Sequence, residues 1–377
     1  MKRILTTHVG SLPRSEKLLS LLQVKNYENT SDKIELEKEL ANAVNNIVAK
    51  QVEVGIDFVS DGELSKPSYA TYITDRLTGF SGEWKGHVAQ DLRDYREFAK
   101  HLVEIGEVVP RASGACCQSE ISPRDMDQLN RDIDNFRKAI INNKPNGQFL
   151  NAASPGVIAV FQKNEYYKNE TAYIEAIANA MRPEYEAIVN AGFSLQLDCP
   201  DLAMGRHLAF ADITDNDFLK IVKRNIDALN EATKTIDPEK MRMHLCWGNY
   251  PGPHHHDIPL KKILSEILRA KPKYLLLEGA NPRHAHEYEC FHDTKLPEDK
   301  VLVPGVIDST SNYIEHPDLV AQRICNYANI VGRDRVMAGS DCGFATISEY
   351  PTVYPALAWE KMKSLVEGAR IASKKLW

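Results

Sequence analysis

Met241-Arg242-Met243-His244-Leu245-Cys246 reads as a β-strand that delivers two metal-binding side chains together. Alternate residues of a strand share a face, so His244 and Cys246 point the same way and, at the strand's carboxyl end, reach one ion. A histidine with a cysteine selects a soft-to-borderline cation, with zinc first. Two further apolar runs end in comparable residues, Leu275-Leu276-Leu277-Glu278-Gly279 and Ala338-Gly339-Ser340-Asp341-Cys342-Gly343. His244, Cys246, Glu278 and Cys342 together make a four-ligand Zn2+ set drawn from three strand ends. Each alone has a plainer reading, as a hydrogen-bonded core histidine, a small packed thiol or a substrate-binding carboxylate, and only their common placement favours the metal.

Outward from this strand, similar runs recur between helical patterns, the sign of βα units on a parallel sheet. They are Ile4–Val9, Ile56–Ser60, Gln148–Ala152, Ser194–Asp198, Met241–Cys246, Tyr274–Glu278, Val301–Val306 and Val336–Ser340. Eight such strands, with helices between nearly all of them, predict an α/β chain, a single (β/α)8 TIM barrel over residues 1–377. Helices are expected over Asp32–Val54, Tyr166–Ala191, Asp217–Thr235, Pro317–Val331 and Pro355–Leu376, with Asp32 or Ser31 capping the first and Gly55 and Gly192 ending two of them. Residues 78–146, between strands two and three, are too long for a loop and too patterned for disorder. They read as an insertion, a hairpin plus a helix over the barrel mouth, with a homo-oligomer contact as the alternative use.

The chain carries a formal net charge of −6 with its charged residues evenly scattered, which argues against the basic face that nucleic acid requires. A small-molecule partner is expected instead. No apolar segment is long enough for a signal peptide or a membrane span. Seven cysteines without a secretion signal fit reduced thiols and metal ligation, so the expected setting is cytoplasmic.

In a barrel the active site lies at the carboxyl ends of the strands. There the sequence places Gly10-Ser11, Asp61-Gly62-Glu63, Ser154-Pro155-Gly156, Asp198, His244 with Cys246, Glu278, Asp308, and Asp341-Cys342. Two thiolates, a carboxylate and an imidazole would give the metal net negative surroundings, a poor setting for making hydroxide. They suit the binding of a substrate thiol as thiolate, nucleophilic at neutral pH. The incoming sulfur adds to zinc or displaces the weakest ligand, for which Glu278 is the candidate.

Thr6-Thr7-His8-Val9-Gly10-Ser11-Leu12-Pro13-Arg14, Asp61-Gly62-Glu63, Gln196-Leu197-Asp198-Cys199-Pro200, His244-Leu245-Cys246, Glu278, Pro304-Gly305-Val306-Ile307-Asp308 and Asp341-Cys342-Gly343 resemble, in the same order, the motifs of the catalytic C-terminal domain of cobalamin-independent methionine synthase. The resemblance implies a catalytic barrel that transfers an alkyl group to a thiol with zinc. The expected activity is an S-methyltransferase acting on homocysteine or a similar small thiol, with His244, Cys246, Glu278 and Cys342 as ligands. It also implies that Gly10 and Ser11 meet the amino-acid part of the thiol, that Glu63 and Asp198 face its ammonium group, and that Asp308 joins the substrate-binding set. Lys66 and Arg206 are the alternative partners of the two acids.

The chain departs from that family pattern in places. It has no length for the synthase's extra N-terminal barrel, which helps to hold folate. Asp198-Cys199-Pro200 replaces Asp-Glu-Pro, Met204 stands where an acid contacts folate, and Asp308-Ser309-Thr310 replaces Asp-x-His, whose histidine protonates the departing folate. These changes argue against folate as the alkyl donor. The stretch Trp247–His256 reads as a wall over the zinc, and His254, His255 and His256 are candidate proton donors to a leaving group. Three consecutive histidines also raise a second metal site, which their internal place after a Pro/Gly turn does not favour.

The pattern is similar, too, to the epoxyalkane:coenzyme M transferases, which open an epoxide with a zinc-bound thiolate. That reading needs cations for a sulfonate, from Arg14, Lys66, Arg206 or Arg283. A metal-free decarboxylase of the uroporphyrinogen decarboxylase type shares the barrel plan but leaves His244, Cys246 and Cys342 without a joint task. A purely structural zinc would require a closed site with no pocket above it.

Overall fold

Among the described residues ten strands are formed, and seven of them make one parallel sheet. They are β1 (Phe58–Val59), β2 (Phe80–Trp84), β3 (Gly114–Cys117), β4 (Gly147–Ala153), β5 (Lys163–Asn164), β6 (Ser194–Asp198), β7 (Met241–Leu245), β8 (Tyr274–Leu277), β9 (Val301–Ile307) and β10 (Gly339–Ser340). The computed structural model describes residues 2–22, 30–105, 114–348 and 351–377. The large sheet runs β1-β4-β6-β7-β8-β9-β10. Its central strands are buried on both faces, which is why they read as nearly unbroken apolar runs. The sheet is curled, because one segment bonds to both of its edges. Thr7 N donates to Ala338 O at 2.9 Å and Ala338 N to Leu5 O at 2.9 Å, while Asp57 N and Phe58 N donate to Thr6 O at 3.2 and 3.0 Å.

That segment falls short of the strand expected over Ile4–Val9 and keeps a single parallel bridge, Thr6 to Ala338. The reason is local: the Asp57 carboxylate accepts from Thr6 N at 2.9 Å and removes that amide from any ladder. The runs expected over Ile56–Ser60 and Val336–Ser340 likewise shorten to two residues each, the latter beside a register shift at Gly339/Ser340.

The helices Pro317–Val331 and Pro355–Leu376 have the expected bounds, each with proline in its first turn. Others begin where a side chain caps them. Asn169 accepts from Ala172 N and Thr214 from Asp217 N, so the helices run Glu170–Asn190 and Asp215–Ala232 rather than from Tyr166 and Asp217. The first long helix, Thr30–Val54, starts ahead of Ser31 and Asp32, so neither occupies its cap position.

Within residues 78–146, β2 and β3 pair antiparallel, and β3 also pairs with β5 to give a three-stranded sheet. The short helices Gln90–Asp94 and Arg96–Glu104 lie between the two hairpin strands, and the helix Asp127–Asn143 follows. That last helix buries Phe136 against Phe193, with ring centroids 5.0 Å apart. Residues 106–113 of this stretch lie outside the described residues.

Inside the curled sheet, Val9, Leu276, Val303 and Met337 form a separate small core. Arg242 crosses it, donating to Thr7 Oγ1 (2.9 Å) and His8 O (2.8 Å) with its guanidinium 3.7 Å from the Phe149 ring centroid. Burial pushes the Arg242 pKa down to about 9. Among the described residues no helix is long and apolar enough to cross a membrane.

Candidate active site and metal centre

Strand register assembles the metal-binding side chains. His244 of β7 pairs with Asp198 on one side and Leu276 on the other, so alternation aims Arg242, His244 and Cys246 to the same face. Cys342 arrives from the turn after β10, with Sγ 3.3 Å from His244 Nε2. The ligand atoms of His244, Cys246 and Cys342 all lie within 4.8 Å of one another, and all three residues are buried. A tetrahedral zinc bound to one sulfur and one imidazole nitrogen needs them about 3.6 Å apart, so this cluster fits the ion.

Its electrostatics point the same way. The hydrogen bond from Cys342 holds the Cys246 thiol well below its ordinary pKa, against the opposing effect of burial, and Cys342 is pushed well above its own. Burial works to lower the His244 pKa, but the hydrogen bond and charge of Cys246 outweigh it. His244 Nδ1 is buried with no hydrogen-bond partner among the described residues.

Glu278 stands beside this trio, not within it. Its Oε1 accepts from Trp247 N at 2.9 Å, and burial, with Asp341 and Cys246 adding, pushes its carboxyl well above the usual range against the charge of His284. The turn after Glu278 is held by Asp341, whose carboxylate accepts from the amides of Gly279 (2.8 Å), Ala280 (2.9 Å) and Asn281 (2.7 Å).

A cavity of about 490 Å³ opens onto the trio, and Ser11, Glu63 and Asp198 also line it. Its lining also includes Tyr69, Phe161, Met204, Leu208, Tyr250 and Ile347, and among the described residues no lysine or arginine lines it. Glu63 takes a left-handed backbone, φ 55°, directly after Gly62 at φ 73°, a conformation that costs on the order of 1 kcal/mol for a side chain of this kind. Arg14 secures the strained turn by donating to the carbonyls of Glu63, Leu64 (3.2 Å) and Lys66 (2.8 Å).

Burial, with the charges of Asp198 and Asp61 adding, pushes the Glu63 carboxyl up to about 7 against Lys66 and Arg14. Asp198, also raised by burial, accepts from Asn151 Nδ2 and Gln196 Nε2, each at 3.0 Å. The alternative partners make their hydrogen bonds elsewhere, although the Lys66 charge still acts on both acids. Lys66 Nζ donates to Asn151 O at 2.6 Å, and Arg206 pairs with Asp215 at 2.9 Å. Ser11 Oγ is buried without a hydrogen-bond partner among the described residues, close against Gly343, where a Cβ would come within 1.9 Å of it. Gly10 lies against Glu63, since a Cβ there would sit 2.6 Å from Oε1.

Other expected site residues face away from the cavity. Asp308 turns its carboxylate onto its own loop, accepting from Thr310 N (3.1 Å), Thr310 Oγ1 (2.9 Å) and Ser311 Oγ. His254 is buried behind Tyr250, with Nδ1 3.1 Å from Asp257 Oδ2 and Nε2 3.0 Å from Tyr250 O. His255 and His256 turn outward to Asp94. None of the three is among the residues that line the cavity. Gly248, Asn249 and Tyr250 do line it, as a wall following the first ligands.

Sequence reading overlooked Tyr69 and Phe161, and took Asn249 only as part of the wall. Tyr69 and Phe161 lie in irregular or apolar stretches without a site-like pattern. Asn249, three residues past Cys246, carried a positional signal: it donates to Gly343 O at 2.9 Å and accepts from Ser309 Oγ at 2.8 Å, joining three strand-end loops.

The family described as cobalamin-independent synthase, catalytic domain, matches residues 4–98 and 141–365. A methionine synthase of Saccharolobus solfataricus is 24% identical over 377 residues, covering 98% of this chain and 95% of that protein. Another, from Sulfolobus acidocaldarius, is 23% identical over 372 residues, covering 98% and 93%. A solved structure of a B12-independent methionine synthase from a Shewanella species aligns with a TM-score of 0.74 at 18% identity, over 100% of this chain and 99% of that one. That likeness shows a shared barrel-like fold. By the family match, which spans most of its length, this chain belongs to the cobalamin-independent synthase catalytic-domain family.

Proposed function

We propose that this chain is a zinc-dependent S-methyltransferase whose acceptor is homocysteine or a similar small thiol carrying an ammonium group. We read residues 1–377 as one (β/α)8 catalytic barrel with 78–146 inserted in it, in a cytoplasmic setting supported by seven cysteines free of disulfides. The observation that carries the acceptor reading is the cavity's charge: two buried carboxylates, Glu63 and Asp198, beside the thiol–imidazole cluster, with no lysine or arginine on the described lining. An ammonium group offsets the cost of two buried acids, whereas a sulfonate would add to it.

His244, Cys246 and Cys342 would hold the zinc, with Glu278, whose carboxyl feels the charge of Cys246, as the candidate fourth, exchangeable ligand. Zinc bound there would supply a lowered thiol pKa, so that the acceptor sulfur is a thiolate at neutral pH. Glu63 and Asp198 orient the acceptor by its ammonium group, and Ser11 Oγ, lacking a partner, offers a hydrogen bond to its carboxylate. The apolar part of the lining excludes water and places the donor's methyl carbon in line with the sulfur. The sulfur–carbon bond forms as the carbon–donor bond breaks, and the thiol proton leaves to solvent.

The epoxide and coenzyme M reading finds less support, because its cations are occupied. Arg14 binds backbone carbonyls, Lys66 binds Asn151 O, Arg206 binds Asp215, and Arg283 is exposed off the cavity. A purely structural zinc is disfavoured by the open cavity above the cluster. X-ray absorption at the zinc edge tests the reading. We expect a zinc signal that gains a sulfur scatterer with homocysteine and not with coenzyme M; a gain with coenzyme M alone would reverse the choice, and protein without zinc would overturn the mechanism.

A further inference from the structure

Outside the cavity wall lies a second group of donors. His255 Nε2 is 3.1 Å and His256 Nε2 2.6 Å from the same oxygen, Asp94 Oδ2. The ligand atoms of all three residues lie within 4.8 Å of one another. We propose that Asp94, His255 and His256 form a second divalent-cation site, for zinc or a neighbouring borderline metal, that ties the helix Gln90–Asp94 to the turn at 254–257.

The donor chemistry fits such an ion. Two imidazoles and one carboxylate suit zinc, cobalt or nickel, and three protein ligands leave room for water. A tetrahedral ion at 2.0–2.1 Å from each ligand needs ligand atoms roughly 3.3 Å apart, which small rotations of these side chains reach. With neutral imidazoles the group carries the single negative charge of Asp94, so a cation is drawn to it.

The ligands are also held in place by contacts that involve no ion. Asp91, three residues before Asp94 on the same helix face, is buried and accepts from Tyr250 Oη at 2.8 Å and His254 N at 2.9 Å. His254 keeps a left-handed backbone, φ 53°, anchored through its ring to Asp257 and Tyr250 O. That turn sends the next two side chains outward, with their ring centroids 4.2 Å apart. Much of the ordering cost of binding is thereby already met.

The side chains of Asp94, His255 and His256 are 45%, 36% and 30% exposed, so this ion would exchange with solvent, unlike one at the buried thiol cluster. Because Tyr250 lines the cavity, occupancy would fasten the wall from behind.

Counting metal per chain tests the proposal. Protein dialysed at neutral pH against buffered micromolar zinc should hold two equivalents, the His255→Ala/His256→Ala variant one, and Asp94→Asn should bind the second at least about tenfold more weakly. Cys246→Ser separates the sites, since it should remove the thiol-cluster equivalent and leave the histidine one. As a further readout, cobalt at the thiol cluster gives sulfur-to-metal charge-transfer absorption and cobalt at the second site gives none. A wild-type protein whose zinc is all lost with Cys246→Ser, or a double-histidine variant that keeps every equivalent, would overturn the second site.

Discussion

Part of the cavity lining rises from β-strand ends, and another part comes from turns and helix ends. On the first, His244 and Asp198 sit in a parallel ladder with register fixed on both sides, Cys246 follows directly after the strand, and each is buried. On the second, Tyr69, Leu208, Tyr250 and Ile347 come from turns outside regular strands. The ladder can hold thiolate, imidazole and carboxylate groups within the tolerances that metal binding and acceptor recognition demand. The loops offer shape and apolar surface, which change with sequence at little cost to the framework. The acceptor half of the proposed chemistry therefore belongs to the sheet, and selection of the methyl donor to the loops.

Substitutions on the two walls should differ in size and kind. The largest effect is expected from Cys246→Ser or Cys342→Ser. Losing even an outer-shell partner costs metal affinity about 10–100-fold, so losing a ligand should exceed this and abolish turnover. Elemental analysis beside a methylation assay checks both, and a fully metallated, active Cys342→Ser enzyme would refute the assignment.

Next in size is Glu63→Gln, which should keep zinc yet weaken acceptor binding by about 1.5–3 kcal/mol, the range for a hydrogen bond to a charged group. The pH dependence sharpens this. With its carboxyl pushed up to about 7, Glu63 is charged above that pH and neutral below it. Binding of the methylated product, which has no titrating thiol, should weaken as pH falls through about 7, and Glu63→Gln should flatten the profile. Calorimetry of methionine binding reads this directly, and an unchanged slope in the variant would remove Glu63 from the site. The sign for stability is opposite. A carboxyl raised from 4.5 to about 7 is protonated more readily in the folded than in the unfolded chain, so its contribution declines as pH rises across that window.

The smallest effect belongs to the loop wall. Met204→Ala should leave zinc and acceptor affinity unchanged and alter the donor KM by less than about tenfold, on the order of one or two buried methylene groups. A comparable loss of acceptor affinity would mean that the two walls are not separable.

Much of the strand wall was legible because it obeys a period. The spacing of His244 and Cys246 gave their common face, and the apolar runs gave strands that the parallel sheet requires. The place of Glu278 was less legible, since it depends on a turn tied by Asp341 from a distant loop. The short edge strands were overread because Asp57 captures an amide that hydrophobicity alone would assign to a ladder. Asp308 and the three histidines had site-like chemistry at site-like positions, and only side-chain direction showed that they turn away. Tyr69 stayed hidden because a turn follows no period, and Phe161 because an apolar residue at the end of a short buried helix reads as core.

Cys342 lies 98 residues after His244, and the two meet across the curl of the sheet. The segment Leu5–Thr7 that bonds both sheet edges is farther still from its partner Ala338. During synthesis, a nascent chain ending anywhere before residue 342 has at most two of the three clustered donors, and the apolar groove around them has no opposite edge to close on. Contacts of such sequence separation form late and slowly. Metal uptake, as proposed for the thiol cluster, would thus wait until Cys342 has been made, and a ribosome-bound fragment ending before it would offer free thiols instead of the full donor set.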